Sequence, residues 1–426
     1  MTDPSPSPEA LVAHVLRRAT IAPESSLVAR FVQGSSGDAR KAANAAIDWA
    51  LNAPALPIRP TQQKSDGWDD ALFGWTENLR MPNAGINERM TWFWHGHFAT
   101  SSEKVGNLAM LHAQQQLFRT HAMGNFATLL REIANDPAMM LFLDLSDSSV
   151  EAPNENFARE LMELFTLGAG KYTEDDVKSG ALALAGSHVD YNTAKITNDP
   201  ARSLGGEVVF LGRRGRLTTT DVIDTILAQE ACASHIAWKV FVHLAGVPPT
   251  SEQLSQLART FRSSNYEIRP LVEAVLRSDA FLQLRMNRAR FPVEWWVAAV
   301  KAIGPFRAGE DQNPNPWILN ELNQLPHRPP NVAGWPVSAK WLSSDQQLTR
   351  ASYARSLSWR MTPLQVPPGG DLVSATIART SMYEVSNRTM QILRDAALAT
   401  AGNADELTIS RRLITMAVCS PEFALA

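Results

Sequence analysis

The chain has 426 residues, of which 45% are hydrophobic and 19% charged, with 40 basic and 43 acidic side chains and a net charge of −3. That is the composition of an ordinary globular protein long enough for two domains, and its charge balance excludes the global field that draws proteins to nucleic acid or anionic membranes. Cys232 and Cys419 are too few for a disulfide framework or a zinc knuckle, and no apolar run nears the roughly 18 residues that span a bilayer.

In chain order, residues 1–8 alternate Pro with Ser and are expected to be disordered. They lack the basic and apolar regions of a secretion signal, so a cytoplasmic location is expected. A helical domain over 9–185 follows, with Leu11, Val15 and Leu16 in one helix and Leu27, Val28 and Phe31 in the next. A proline-rich connector, Pro54 to Pro60, leads to a helical stretch from about Asp66 to Trp94, interrupted at Pro82–Gly85. Trp92-Phe93-Trp94-His95-Gly96-His97-Phe98 comes next, two histidines among four large aromatics, which do not belong on an open surface. Gly96 is read as a break that seats His95 and His97 on an irregular turn. Further helices carry Leu108, Leu111, Gln115 and Phe118, start near Asn125, and start again at the cap-plus-proline pair Asp136-Pro137.

The run from Pro153 to Gly168 predicts a helix capped by Asn154 and closed by a left-handed Gly168. At about 100° per residue its apolar side holds Phe157, Leu161, Leu164 and Phe165, and its polar stripe Asn156, Arg159, Glu160 and Glu163. Residues 186–219 read as an irregular insertion, with one strand candidate at Glu207–Leu211 and a β-hairpin over 207–217 whose tip is the basic Arg213-Arg214-Gly215-Arg216. A second helical domain covers 220–426. Its helices are expected at Thr220–Ala228, Cys232–Leu244, Ser251–Ser263, Ile268–Arg277 and Pro292–Ile303, then Ser374–Leu398 and Glu406–Ser420, around a proline-rich loop at 314–336. Neither a repeat nor a heptad array is present. The fold class is all-α, a multi-helix assembly of roughly 15 to 18 helices given the usual helix length.

The chemistry-bearing residues fall in two clusters. His95 and His97 would point about 200° apart on a continuous helix, so joint ligation needs the break at Gly96. Glu160 and Glu163, at i,i+3, would complete a site for a divalent transition metal such as zinc, iron or manganese; otherwise the histidines are core residues in a satisfied network. Glu155, Glu160 and Glu163 also suit general acid/base work, because neighbouring buried carboxyls push one proton affinity up. Arg159 either completes an ion-pair network or stabilises developing negative charge. Three readings stand: a metal-dependent hydrolase using these residues, a noncatalytic helical binding or assembly protein, and a metal-free carbohydrate-active enzyme with tryptophan platforms drawn from Trp92, Trp94, Trp295, Trp296, Trp335 and Trp341. The partner is a small molecule, a glycan or another protein, not nucleic acid or membrane. In space, the Trp94–Phe98 turn is expected to bring His95 or His97 to Glu160 or Glu163.

Trp94-His95-Gly96-His97-Phe98-Ala99-Thr100-Ser101, Gly124-Asn125-Phe126, Asp136-Pro137-Ala138-Met139, the Asn154–Gly168 run, Tyr172–Val177 and Pro329-Pro330-Asn331-Val332-Ala333-Gly334-Trp335-Pro336 follow one another in an order that resembles the bacterial domain-of-unknown-function family 1800. The likeness also takes in His14–Arg18, Trp341 and Arg350, and so most of residues 10–360. It implies no activity, although members are often encoded beside sulfatase- or phosphatase-like proteins. The chain departs from the family pattern at Ala185-Gly186-Ser187, where Thr-Gly-Trp is usual, and at Asn198-Asp199, where a His-Asp pair is usual. The nearby His188 is the candidate substitute for that histidine.

Overall fold

The computed structural model describes residues 6–56, 68–81, 84–311, 314–337, 339–366, 368–400 and 404–426. The expected disordered start at 1–5, the connector beyond Leu56 and the centre of the 82–85 interruption lie outside the described residues. Among those described, 23 α-helices and two small antiparallel hairpins make an all-α protein. The helix number exceeds the estimate because the mean length used there overlooks helices of four or five residues, such as Ser102–Val105, Asp279–Gln283, Ile318–Glu321 and Pro421–Ala424. No described helix is long and apolar enough to cross a membrane.

Helix starts follow their capping chemistry. Asn154 accepts from the Asn156 N–H at 2.9 Å, Asp136 accepts from Met139 ahead of Pro137, and Thr173–Asp176 and Thr218–Asp221 form reciprocal capping boxes. Val208–Phe210 pairs with Arg213–Gly215 across Leu211-Gly212, where φ is +48° and +83°. Two successive positive φ values are what a tight, right-twisted hairpin needs. A second hairpin, Ser187–Val189 with Ile196–Asn198, escaped the sequence reading because strands of three residues carry too little alternation to register.

Two groups of buried apolar side chains form the interior. The first runs from Leu11 to Leu282 and includes Val189, Phe210 and Leu217 of the 186–219 segment. The second gathers Ala289 through Phe423 around Trp295 and Trp296, and reaches back for Trp75, Leu79 and Trp92. The chain changes over between Leu282 and Ala289.

The helix Ile86–His97 lies between the two groups: Met90, Phe93 and Trp94 belong to the first, Trp92 to the second. A buried ion-pair knot holds it there. Glu294 of the helix Pro292–Ile303 is gripped by Arg89 and by Arg288, the latter at 2.9 and 3.0 Å, while Arg89 also donates to the carbonyls of Arg17 and Thr20. Burial alone would raise the Glu294 carboxyl, but the two guanidinium groups hold it well below the usual carboxylate range.

Candidate functional site

Gly96 does not break its helix. The helix runs on to His97 and is closed at Phe98, so His95 and His97 leave it on different sides. The Gly96 carbonyl serves a different end: the proline-rich loop packs on it. Gly334 sits at φ +74°, and a Cβ placed there would lie 1.9 Å from the Gly96 carbonyl oxygen. Only glycine allows that approach.

His95 anchors the same loop. Its Nε2 accepts the His327 N–H at 3.1 Å, and the His327 carbonyl in turn accepts the Ser102 N–H at 2.7 Å. Because Nε2 is the acceptor, Nδ1 carries the proton, and it has no partner. Around the imidazole stand Trp75, Trp92, His327 and Trp335, with ring centroids between 4.8 and 5.9 Å. Burial, then the neighbouring His327, keeps His95 neutral well below its ordinary range.

His97 turns the other way. Its Nε2 meets the Phe165 carbonyl at 3.1 Å, and His235 meets the Leu164 carbonyl at 3.0 Å. The two imidazoles thus satisfy carbonyls left over just past the end of the helix Glu155–Glu163. Donation from Nε2 fixes the His97 tautomer and leaves Nδ1 as a buried lone pair without a donor. Burial first, then Lys239 and His235, depress its proton affinity strongly.

The expected meeting of histidine and glutamate is therefore not realised. His97 reaches the predicted segment, but its backbone rather than its carboxylates. The stripe itself is half-exposed: Arg159 pairs with Glu155 at 3.1 Å and with Glu174 at 2.8 Å, and Tyr172 donates to Glu163. Glu160 is the carboxyl raised above its ordinary value, by partial burial and then by Glu163, as the i,i+3 coupling predicts. Among the described residues no group of three or more His, Cys, Asp or Glu converges to hold a metal ion. Asn198 and His188 lie on the hairpin Ser187–Val189 with Ile196–Asn198, where Ser187 donates to the exposed Asn198 at 2.8 Å and His188 Nδ1 stands 3.3 Å from Ser146 Oγ.

What the two motif loops do enclose is a cavity of about 230 Å³. One wall is Trp92, Phe93, Gly96 and His97; the proline-rich loop adds Gln324, Ala333, Trp335 and Pro336, with Val337 just beyond it; Phe291 also lines the cavity. The helix Glu230–Ala245 supplies Trp238, Lys239, Val242 and His243, whose spacing puts them on one face. Trp92 and Trp335 are nearly parallel, 18° apart with centroids at 5.9 Å, and His243 stacks on Phe291, which carries the Arg288 guanidinium at 4.8 Å. His243 Nε2 and Trp335 Nε1 have no hydrogen-bond partner, and His243 is held neutral by burial and by Arg89 and Arg288. Lys239 is half-buried, its amine depressed by burial, with no carboxylate or acceptor among the described residues.

Lys239 and His243 were missed from sequence. Two polar side chains at i,i+4 in a helix otherwise apolar enough to be buried are the signal that marks them. A larger depression of about 660 Å³ opens over Lys301 and Arg379, but Glu24 faces both cations, so its charges answer one another.

The chain belongs to the family described as "Protein of unknown function (DUF1800)", whose model matches residues 8–425. No curated protein and no solved structure matches it.

Proposed function

We propose that this protein binds a small, flat, mainly apolar organic molecule in the cavity between the histidine helix and the proline-rich loop. One observation carries the reading. The nearly parallel Trp92 and Trp335 rings, with Phe93 and Phe291, give the cavity an apolar aromatic lining that a flat ring fits. At about 230 Å³ the cavity lies below the roughly 300–1,000 Å³ of drug-sized sites, which fits one or two fused rings. Titrating indole and quinoline against intrinsic tryptophan fluorescence tests the reading. Saturable quenching that is weakened at least tenfold in Trp335→Leu supports it; no saturable quenching by either compound overturns it.

A second reading, hydrolysis by Glu160 and Glu163 without the histidines, retains one support in the raised Glu160 carboxyl. No residue of that pair lines the cavity. Loss of an ester- or glycoside-cleaving activity in Glu160→Gln would establish it, and equal rates would dismiss it.

A further inference from the structure

Lys239 is the side chain on this wall whose chemistry the binding reading leaves unused. It stands at the centre of a helical face between Trp238 and Val242, in a pocket otherwise made of rings, neutral imidazoles and an amide. A lysine on a protein surface normally projects into water or meets a carboxylate. This one is half-buried, and no acid pairs with it among the described residues. Holding an ammonium there without a counter-ion is costly, so burial favours the free amine, the nucleophilic form. His97 lines the same cavity, its tautomer fixed by the Phe165 carbonyl and its Nδ1 buried.

We infer that the cavity's ligand carries an aldehyde or ketone group and that Lys239 condenses with it to form an imine. The inference rests on the cavity being a ligand site at all. In the addition, the Lys239 Nζ lone pair forms a bond to the carbonyl carbon and the C=O π pair moves to oxygen. The nitrogen loses a proton to water and the oxygen gains one, giving a carbinolamine. A proton from water on the hydroxyl lets it leave as water while the nitrogen lone pair forms C=N, and the resulting iminium gives its remaining N–H proton back to water, leaving the imine. One amine and one carbonyl give one imine and one water, with no oxidant or reductant consumed. The ring of the carbonyl compound would lie against Trp92 and Trp335, so an aromatic aldehyde is the favoured class over a short aliphatic one.

The test uses the full chain with benzaldehyde as probe and sodium cyanoborohydride to trap imines, followed by peptide mapping. Nine lysines are present, and the exposed Lys178 reports the rate of an ordinary amine. Lys239 is expected to be alkylated at least ten times faster than Lys178, and propanal is expected to show a much smaller preference. In Lys239→Arg the adduct should vanish while benzaldehyde still quenches tryptophan fluorescence, which shows the variant folded and the cavity intact. Saturable quenching with Lys239 labelled no faster than Lys178 overturns the carbonyl inference and leaves the binding reading standing. Absence of quenching by benzaldehyde, indole and quinoline together overturns both.

Discussion

Replacing Gly334 with alanine separates backbone strain from close approach, because the chain offers a matched control. Gly334 and Gly369 have φ of +74° and +75°, so alanine meets the same left-handed strain at each, about 1–2 kcal/mol. Around Gly369 a new Cβ meets nothing within 4 Å, whereas at Gly334 it falls 1.9 Å from the Gly96 carbonyl oxygen. Contacts under 3.0 Å are essentially never made by real Cβ atoms, so the loop must lift by an ångström or more. Lifting removes the His327–His95 hydrogen bond, worth about 1 kcal/mol, and the Trp335–Trp92 pair, worth about 0.5–1.5 kcal/mol. Gly334→Ala should therefore cost about 2.5–4.5 kcal/mol against about 1–2 kcal/mol for Gly369→Ala, on adding loop strain to these losses. Urea denaturation gives the two values, and indole quenching should be lost only in Gly334→Ala. Equal destabilisation with equal quenching would refute the account of how the two glycines seat the loop.

Acid should unfold the protein over a defined window. His14, His95, His97, His243 and His327 are buried with depressed proton affinities, His327 to about 4, so the unfolded chain takes up protons first as pH falls. Their contribution is complete above the unfolded value near 6.5 and is lost as pH drops towards the folded values, up to about 3 kcal/mol for His327 alone. Asp136, which burial raises to about 7, acts in the opposite sense and offsets one of them. Unfolding free energy that is flat from pH 7 to pH 4.5 would contradict this balance. Glu294→Gln leaves Arg89 and Arg288 buried without their counter-ion and should cost about 3–5 kcal/mol in urea titrations, whereas Glu174→Gln at the exposed Arg159 pair should leave the midpoint unchanged. Equal effects would remove the ion-pair knot from the account. His95→Phe keeps an aromatic ring but strands the His327 N–H, and should cost about 1–3 kcal/mol and speed proteolysis within 326–337; unchanged cleavage would show that His95 does not hold the loop.

The helical content was legible because caps and apolar periodicity are local: Asn154, Asp136-Pro137 and the Thr173 box act within four residues of chain. The unusual character of Trp92–Phe98 and of Pro329–Pro336 was legible too, from histidines among aromatics and from proline density. Their partnership was not. Gly96 reads locally as a breaker, yet the helix continues, and the glycine whose missing side chain matters is Gly334, more than two hundred residues away against the Gly96 carbonyl. The carboxylate stripe was placed correctly on one helix face, but nothing local says that Arg159, Glu174 and Tyr172 satisfy it and leave His97 to the Phe165 carbonyl. Lys239 and His243 passed as part of an apolar helix because the cavity that gives them meaning is built by three separated segments.

The most direct measurement is a crystal structure of the full chain soaked with 5-bromoindole, with data collected at the bromine edge. The account predicts one dominant anomalous peak inside the cavity, against the Trp92 and Trp335 rings and near His97 and His243. Absence of a peak there, or a dominant peak in the larger depression over Lys301 and Arg379, would contradict it.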